Sequence, residues 1–233
     1  MPILKADLSA KRLRELAEAG LEVFCRQGFQ RTQVADVAKA MGVAVGTVYL
    51  YVAGKEALFD LVVRHASAED PAWLEELEIP VATPLPGSTV DFLREVFDRT
   101  EWPKLEAALA ADRADDPAAE LGGVLREQYG LMRRHRRGLL LLMRSALEFP
   151  GLAEVFVMGL RAKLLDHLSR YVASRVKAGQ FREPEDLFAT VAVVAQTIAW
   201  ANLQRPLDPG LATISEEAAE TATVDVLVRG LLA

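Results

Sequence analysis

Cysteine is nearly absent from this chain. Cys25 is the single one among 233 residues, so no internal disulfide can form and a four-cysteine zinc site is excluded. That usage fits a reducing compartment. Histidine is scarce as well. His65, His135 and His167 lie far apart and share no metal-ligand spacing. Neither a metal nor a cofactor is expected. The signatures H-E-x-x-H, G-x-S-x-G, the P-loop and G-x-G-x-x-G are missing. No pair of carboxylates stands out among the many acids, so the chain reads as a non-enzyme. No apolar/polar alternation long enough for a sheet is present. The opening MPILKADLSAK lacks a basic stretch followed by a long apolar run, which predicts no export signal and a cytoplasmic protein.

What is present is an ordinary globular composition. Hydrophobic residues make up 51% and charged residues 26%, enough to bury a sizeable core. A disordered tail, a collagen and a disulfide scaffold are thereby excluded. The net charge of −6 is unevenly divided. Residues 1–55 carry eight basic and five acidic groups, a net +3. The remaining chain carries 19 basic and 28 acidic groups, a net −9. A small basic head on a large acidic body suggests two tasks, with only the head suited to approach a polyanion.

The pattern is helical nearly throughout. Leu13, Leu16, Ala17, Gly20 and Phe24 recur at helical spacing, with Asp7 or Ser9 as start cap and Gly28 as stop. A short helix is expected from Thr32, its N-cap, to Met41. A second follows from about Val45 to Tyr51, and a longer one opens at Gly54. Residues 67–88 hold four prolines and read as a boundary loop. Further helices are expected near 88–112, 117–136, 138–148, 151–179, 185–204 and 214–232. The 18 residues from Leu187 to Gln204 carry no formal charge. Their interior Thr190, Gln196, Thr197 and Asn202, and the lack of a flanking charge bias, favour a helix within a core and a subunit interface over a membrane span.

The most specific signal is VADVAKAMGVAVGTVYLY at 34–51. Two short helices around a glycine turn make a helix-turn-helix. Ala38 must be small where the helices cross. Gly42 takes the turn conformation, and Val37, Met41, Val43 and Val48 fill the small core. The second helix can then lie in a DNA major groove and present Val45, Thr47, Leu50 and Tyr51. From Ala44 to Gly54 it holds no Arg, Lys, Asn or Gln, so bidentate base contacts are not available from it. Thymine methyl contacts from Val45 and Leu50, or flanking Arg12, Arg14 and Gln33, would have to supply specificity.

The stretch GLEVFCRQGFQRTQVADVAKAMGVAVGTVYLYVAGKEALFDLVV resembles the N-terminal domain of TetR-family transcriptional regulators. The matching elements are Phe24, Gly28 and Phe29, then Thr32, V-A-x-x-x-G-V, G-T-V-Y-x-Y and G-K-E-A-L. Ala44 stands where the family has a serine cap, and Val52 where it has phenylalanine. The resemblance implies an all-α fold. It implies a three-helix DNA-binding domain at 1–55 and an effector-binding and dimerisation domain at 56–233. Thr32, Gln33, Val45, Thr47, Tyr49, Leu50, Tyr51 and Lys55 are the implied DNA-binding set. The implied partners are an inverted-repeat operator in double-stranded DNA, a second copy through 185–204 and 214–232, and a small lipophilic effector. Val224, Leu227, Val228 and Leu231 form the expected dimer stripe. Phe92, Phe97, Trp102, Met132, Met143, Phe156, Met158, His167, Gln196 and Trp200 are candidate pocket residues. The run Arg133-Arg134-His135-Arg136-Arg137 could touch DNA, but pairing with nearby acids is the stronger expectation. The implied function is a repressor released by its effector. The alternatives are a DNA-binding regulator without an effector, and a helical ligand-binding or interaction protein with a degenerate head.

Overall fold

The computed structural model describes residues 2–68, 70–149, 151–211 and 213–233; the side chains of residues 2–8 and of Pro71 lie outside that description. Asp7, expected as a start cap, falls there. The expected all-α fold is observed. Among the described residues there is no strand, only isolated bridges between Val52 and Val81 and between Phe181 and Leu232.

The chain forms two compact units. The first comprises Met1–Asp98 and Arg137–Phe156. It holds α1 (Pro2–Arg31), α2 (Val34–Met41), α3 (Val45–Tyr49), α4 (Lys55–Ser67), α5 (Ser88–Asp98) and most of α8 (Arg136–Ser145). Its core joins Leu13, Leu16 and Phe24 of α1 to Leu58, Phe59, Leu61 and Val62 of α4, all buried, with Leu93, Leu141, Leu142 and Leu152 added from later segments. Phe59 lies edge-on to Phe24 and Phe29, at 5.1 and 4.9 Å, and stacks on Phe149 at 4.8 Å. Such pairs add specific geometry to the burial of apolar area.

The division by packing falls elsewhere than the sequence boundary at residue 55. A cut there would separate Leu58, Phe59 and Val62 from the α1 side chains they are buried against. The proline-rich loop is not a boundary either. Its residues 67–88 belong to the first unit, and Leu74 within the 3₁₀ turn Pro71–Glu76 is buried in that core. The start of α1 also differs, since the helix is already running at Pro2 and Ser9 caps nothing. Gly28 interrupts it as expected, at φ 78° and ψ 178°, but α1 resumes to Arg31.

The second unit comprises Arg99–Arg136 and Val157–Ala233. It holds α6 (Pro103–Ala110), α7 (Pro117–Arg134), α9 (Ala162–Lys177), α10 (Leu187–Ala199) and α11 (Glu216–Leu231). The segment 88–112, expected as one helix, is two, because Pro103 starts α6 afresh. The segment 151–179 opens as a π-helix, Glu154–Arg161, before α9. A second π-helical turn, Trp200–Gln204, extends α10. Trp102, Leu105, Val124, Leu125, Leu168, Tyr171, Val191 and Ile198 form this unit's core. Arg175 is fully buried in it, its guanidinium bonded to both oxygens of Glu120 (2.7 and 3.1 Å) and to the carbonyls of Ala108 and Ala111.

Leu187–Leu207 is long and apolar enough to cross a membrane by length and composition. One face of it, with Val191, Val194, Ile198 and Ala201, is buried inside the second unit. The expected dimer stripe is corrected here. Val224, Leu227 and Leu231 are buried in this same core, because the apolar side of α11 packs on α7. Exposed apolar groups on these two helices include Phe188, Val193 and Trp200 along α10 and its extension, and Val226 on α11.

Candidate nucleic-acid interface

The helix pair is built from the turn outward. Val34, Val37 and Ala38 of α2 are buried. The helix starts at Gln33, not at Thr32 as expected. The Gln33 N–H donates to the Asp36 carboxylate at 2.8 Å, and the Asp36 N–H returns to the Gln33 carbonyl at 2.9 Å. Gly42, at φ 68° and ψ 30°, ends α2 in the left-handed conformation, where a side chain is strained. The Gly42 and Val43 N–H groups close on the carbonyls of Lys39 and Ala38.

α3 follows at once, without a side-chain cap at Ala44. That is the expected consequence of alanine at this position. Val48 anchors it with 1% exposure, while Val45, Tyr49 and Leu50 are 39%, 49% and 66% exposed. Thr47 and Tyr51 are half-buried. The exit of α3 is clamped from the proline-rich loop. The Val81 N–H donates to the Tyr51 carbonyl at 2.8 Å, and the Ala53 N–H donates to the Val81 carbonyl at 2.9 Å.

Thr32 and Lys55 have internal partners. Thr32 is buried, and its hydroxyl donates to the Gly28 carbonyl at 2.7 Å. This bridges the interruption in α1 and leaves the hydroxyl inside the fold. Lys55 Nζ donates to the Gln30 carbonyl at 2.9 Å and lies 4.5 Å from the centre of the Phe29 ring. The structure therefore brings Gln33, Val45, Thr47, Tyr49, Leu50, Tyr51 and Lys55 to the α2–α3–α4 region, with Thr32 beneath them. Gln30 and Glu148 were missed by sequence reading. The Gln30 N–H donates to the Glu148 carboxylate at 2.9 Å, a contact across 118 positions that no local pattern signals.

The basic run is mostly paired. Arg133 reaches Glu220 at 3.2 Å, Arg136 reaches Glu216 at 2.7 Å, and Arg137 reaches Glu18 at 2.6 Å. Pairing was the stronger expectation, and the partners are glutamates. Hydrogen bonds and charge from Arg136, with Arg205 helping, hold Glu216 below the usual carboxylate range against some desolvation. Cys25 is half-buried, its thiol donating to the Arg137 carbonyl at 3.3 Å, and burial pushes its pKa up to about 11. Its surroundings favour the neutral thiol over the thiolate.

The effector candidates are divided between the two units. Phe92, Phe97, Met143 and Phe156 belong to the first unit, where Arg64 lies over Phe92 at 4.5 Å and the rings of Phe97 and Phe156 are 6.3 Å apart. Trp102, Met132, Met158, His167, Gln196 and Trp200 belong to the second. There Trp102 is buried 5.5 Å from the His167 ring, whereas Met158, Gln196 and Trp200 are exposed. A groove of about 800 Å³ in the second unit is lined by Ala118, Gly122 and Arg126 of α7 and Ala218, Ala222 and Asp225 of α11, among others. None of the ten candidates lines it.

Residues 16–62, which span this helix pair, match the model of the bacterial regulatory proteins of the tetR family. Over these residues the chain is similar to that family's DNA-binding domain. The chain is 30% identical over 109 residues to the HTH-type transcriptional regulator LuxR of Vibrio harveyi. The match covers 46% of the chain and 53% of the relative, so the chain spans about half the length of that curated protein. Among solved structures, it resembles AibR in complex with isovaleryl coenzyme A and operator DNA. That likeness has a TM-score of 0.55 and 14% identity, covering 93% of this chain and 98% of the other. It also resembles the ketosteroid regulator KstR2 of Mycobacterium tuberculosis, with a TM-score of 0.53 and 16% identity, covering 95% of each chain. At these identities the likeness concerns the fold.

Proposed function

We propose that this chain is a tetR-family regulator, cytoplasmic and sequence-specific in its DNA binding, that acts as a homodimer on an inverted repeat. We further propose that it represses transcription until a small lipophilic effector releases it. The observation that carries the reading is the exposed face of α3, beside an α2 that buries Val34, Val37 and Ala38, within a head of net charge +3. Such a helix fits a major groove, and Tyr49, Tyr51, Thr47 and Lys55 would position it on phosphates. The LuxR relative supports a regulator, and AibR, solved with operator DNA and an acyl coenzyme A, supports effector control.

Two-fold pairing would use the exposed Phe188, Val193 and Trp200 together with Val226. Two such heads would meet half-sites about 34–36 Å apart. A second reading is a regulator whose DNA binding no ligand gates. Selection of random duplexes by the purified protein tests the main proposal. An enriched inverted repeat, with log affinity falling linearly against log salt, is the expected result. Absence of duplex binding at low salt would overturn it. Release of that repeat by acyl coenzyme A or free fatty acids separates the two readings.

A further inference from the structure

The surface that α3 offers has an unusual chemistry for a groove reader. Between Ala44 and Ala53 the side chains are those of Ala, Val, Gly, Thr, Tyr and Leu alone. The most exposed are Leu50, Tyr49 and Val45, and Ala44 and Gly46 beside them are exposed too. The paired donors that arginine presents to guanine, and the donor–acceptor pair that asparagine or glutamine presents to adenine, are absent here. The nearest flanking cation, Lys55, already donates to the Gln30 carbonyl. The remaining major-groove feature that an aliphatic side chain can recognise is the C5-methyl group of thymine, which no other base carries.

We propose that this chain reads its half-site chiefly through thymine methyl groups packed against Val45 and Leu50. This rests on the DNA-binding reading above and specifies its chemistry. The hydroxyls and Lys55 set register on the backbone, while the two aliphatic side chains set sequence. The preferred half-site therefore carries thymines at the positions α3 faces. Its contrast with other sequences comes from burying methyl groups, not from base-edge hydrogen bonds.

Deoxyuridine tests this directly, since it keeps thymine's pairing and its O4 acceptor and lacks only the methyl. The half-site enriched by duplex selection is resynthesised with deoxyuridine at each thymine in turn, and affinity for the full chain is measured by fluorescence anisotropy. One or two positions should each weaken binding about fourfold, the worth of one buried methyl. The Val45→Ala variant should abolish the penalty at one of these positions and leave the salt slope unchanged. 5-Methylcytosine, which carries the same methyl on a different base, should bind better than cytosine there. Equal affinity of every deoxyuridine duplex, or an enriched half-site without thymine, would overturn the proposal while leaving DNA binding intact. Absence of duplex binding by a folded protein at low salt would remove both.

Discussion

Glu18 Oε1 on α1 lies 2.7 Å from His65 Nε2 on α4, while its other oxygen accepts from Arg137 Nη1 at 2.6 Å. One carboxylate thus joins three segments of the first unit. Burial alone would raise the Glu18 pKa, but the hydrogen bonds from His65 and Arg137 more than offset this and hold it below the usual carboxylate range. A depressed carboxylate stabilises the fold above its unfolded pKa, and that contribution fades as pH falls through the folded value. Glu18→Gln should therefore lower stability at pH 7 by about 1 kcal/mol or less, since the side chain is 46% exposed. The gap between variant and parent melting temperatures should close as pH is lowered toward 3. A gap independent of pH would contradict the assignment.

Thr32 sits in the family's motif, yet its hydroxyl is bonded inside the fold to Gly28. Thr32→Val keeps the shape and removes that donor. It should cost about 1–2 kcal/mol by chemical denaturation and leave affinity per folded molecule within twofold. A large loss of DNA affinity with unchanged stability would show that Thr32 acts on the duplex.

Gly28 has φ +78°, and a Cβ there would meet the Glu148 carboxylate at 2.6 Å and the Arg144 carbonyl at 2.9 Å. Gly28→Ala combines backbone strain with a clash against main chain. A loss of about 2 kcal/mol or more in urea unfolding is expected.

Arg175 and Glu120 form the most enclosed ion pair of the second unit. Removing one partner of a buried pair leaves the other charge uncompensated, at about 3–5 kcal/mol. Arg175→Met should approach that range, tempered by the partial exposure of Glu120. Arg175→Lys should rescue little, because the planar fork reaches Glu120 and two carbonyls at once. Equilibrium unfolding of both variants checks this.

Val193→Glu places a charge on the exposed apolar face of α10. On the proposed two-fold pairing, sedimentation should show a dimer for the parent and a monomer for the variant, with affinity for an inverted repeat falling at least tenfold. A dimer that survives this change and Phe188→Glu would place the interface elsewhere.

The helix pair was legible because its determinants are local. Ala38, Gly42 and Val48 must be small, left-handed and buried for reasons set within about ten residues. The roles of Thr32 and of the 224–231 stripe were not legible, because each depends on what lies opposite. A threonine before a helix reads as a cap until Gly28 proves to be its acceptor. An apolar stripe reads the same whether α7 or a second chain covers it. The same holds for the pocket candidates, since aromatic spacing alone does not say which unit a ring joins.

The bridge from Val81 to Tyr51 and Ala53 makes the proline-rich loop part of the scaffold of α3. Together with Phe149, Leu141 and Leu152, which return to the same core from beyond residue 137, it means that the reading head is not a module in the genetic sense. A chimera joined at residue 55 would carry the motif but lack the loop and the later segment that hold it. Grafting a new specificity onto this chain is then a matter of exchanging single side chains on α3, not of transplanting a fragment.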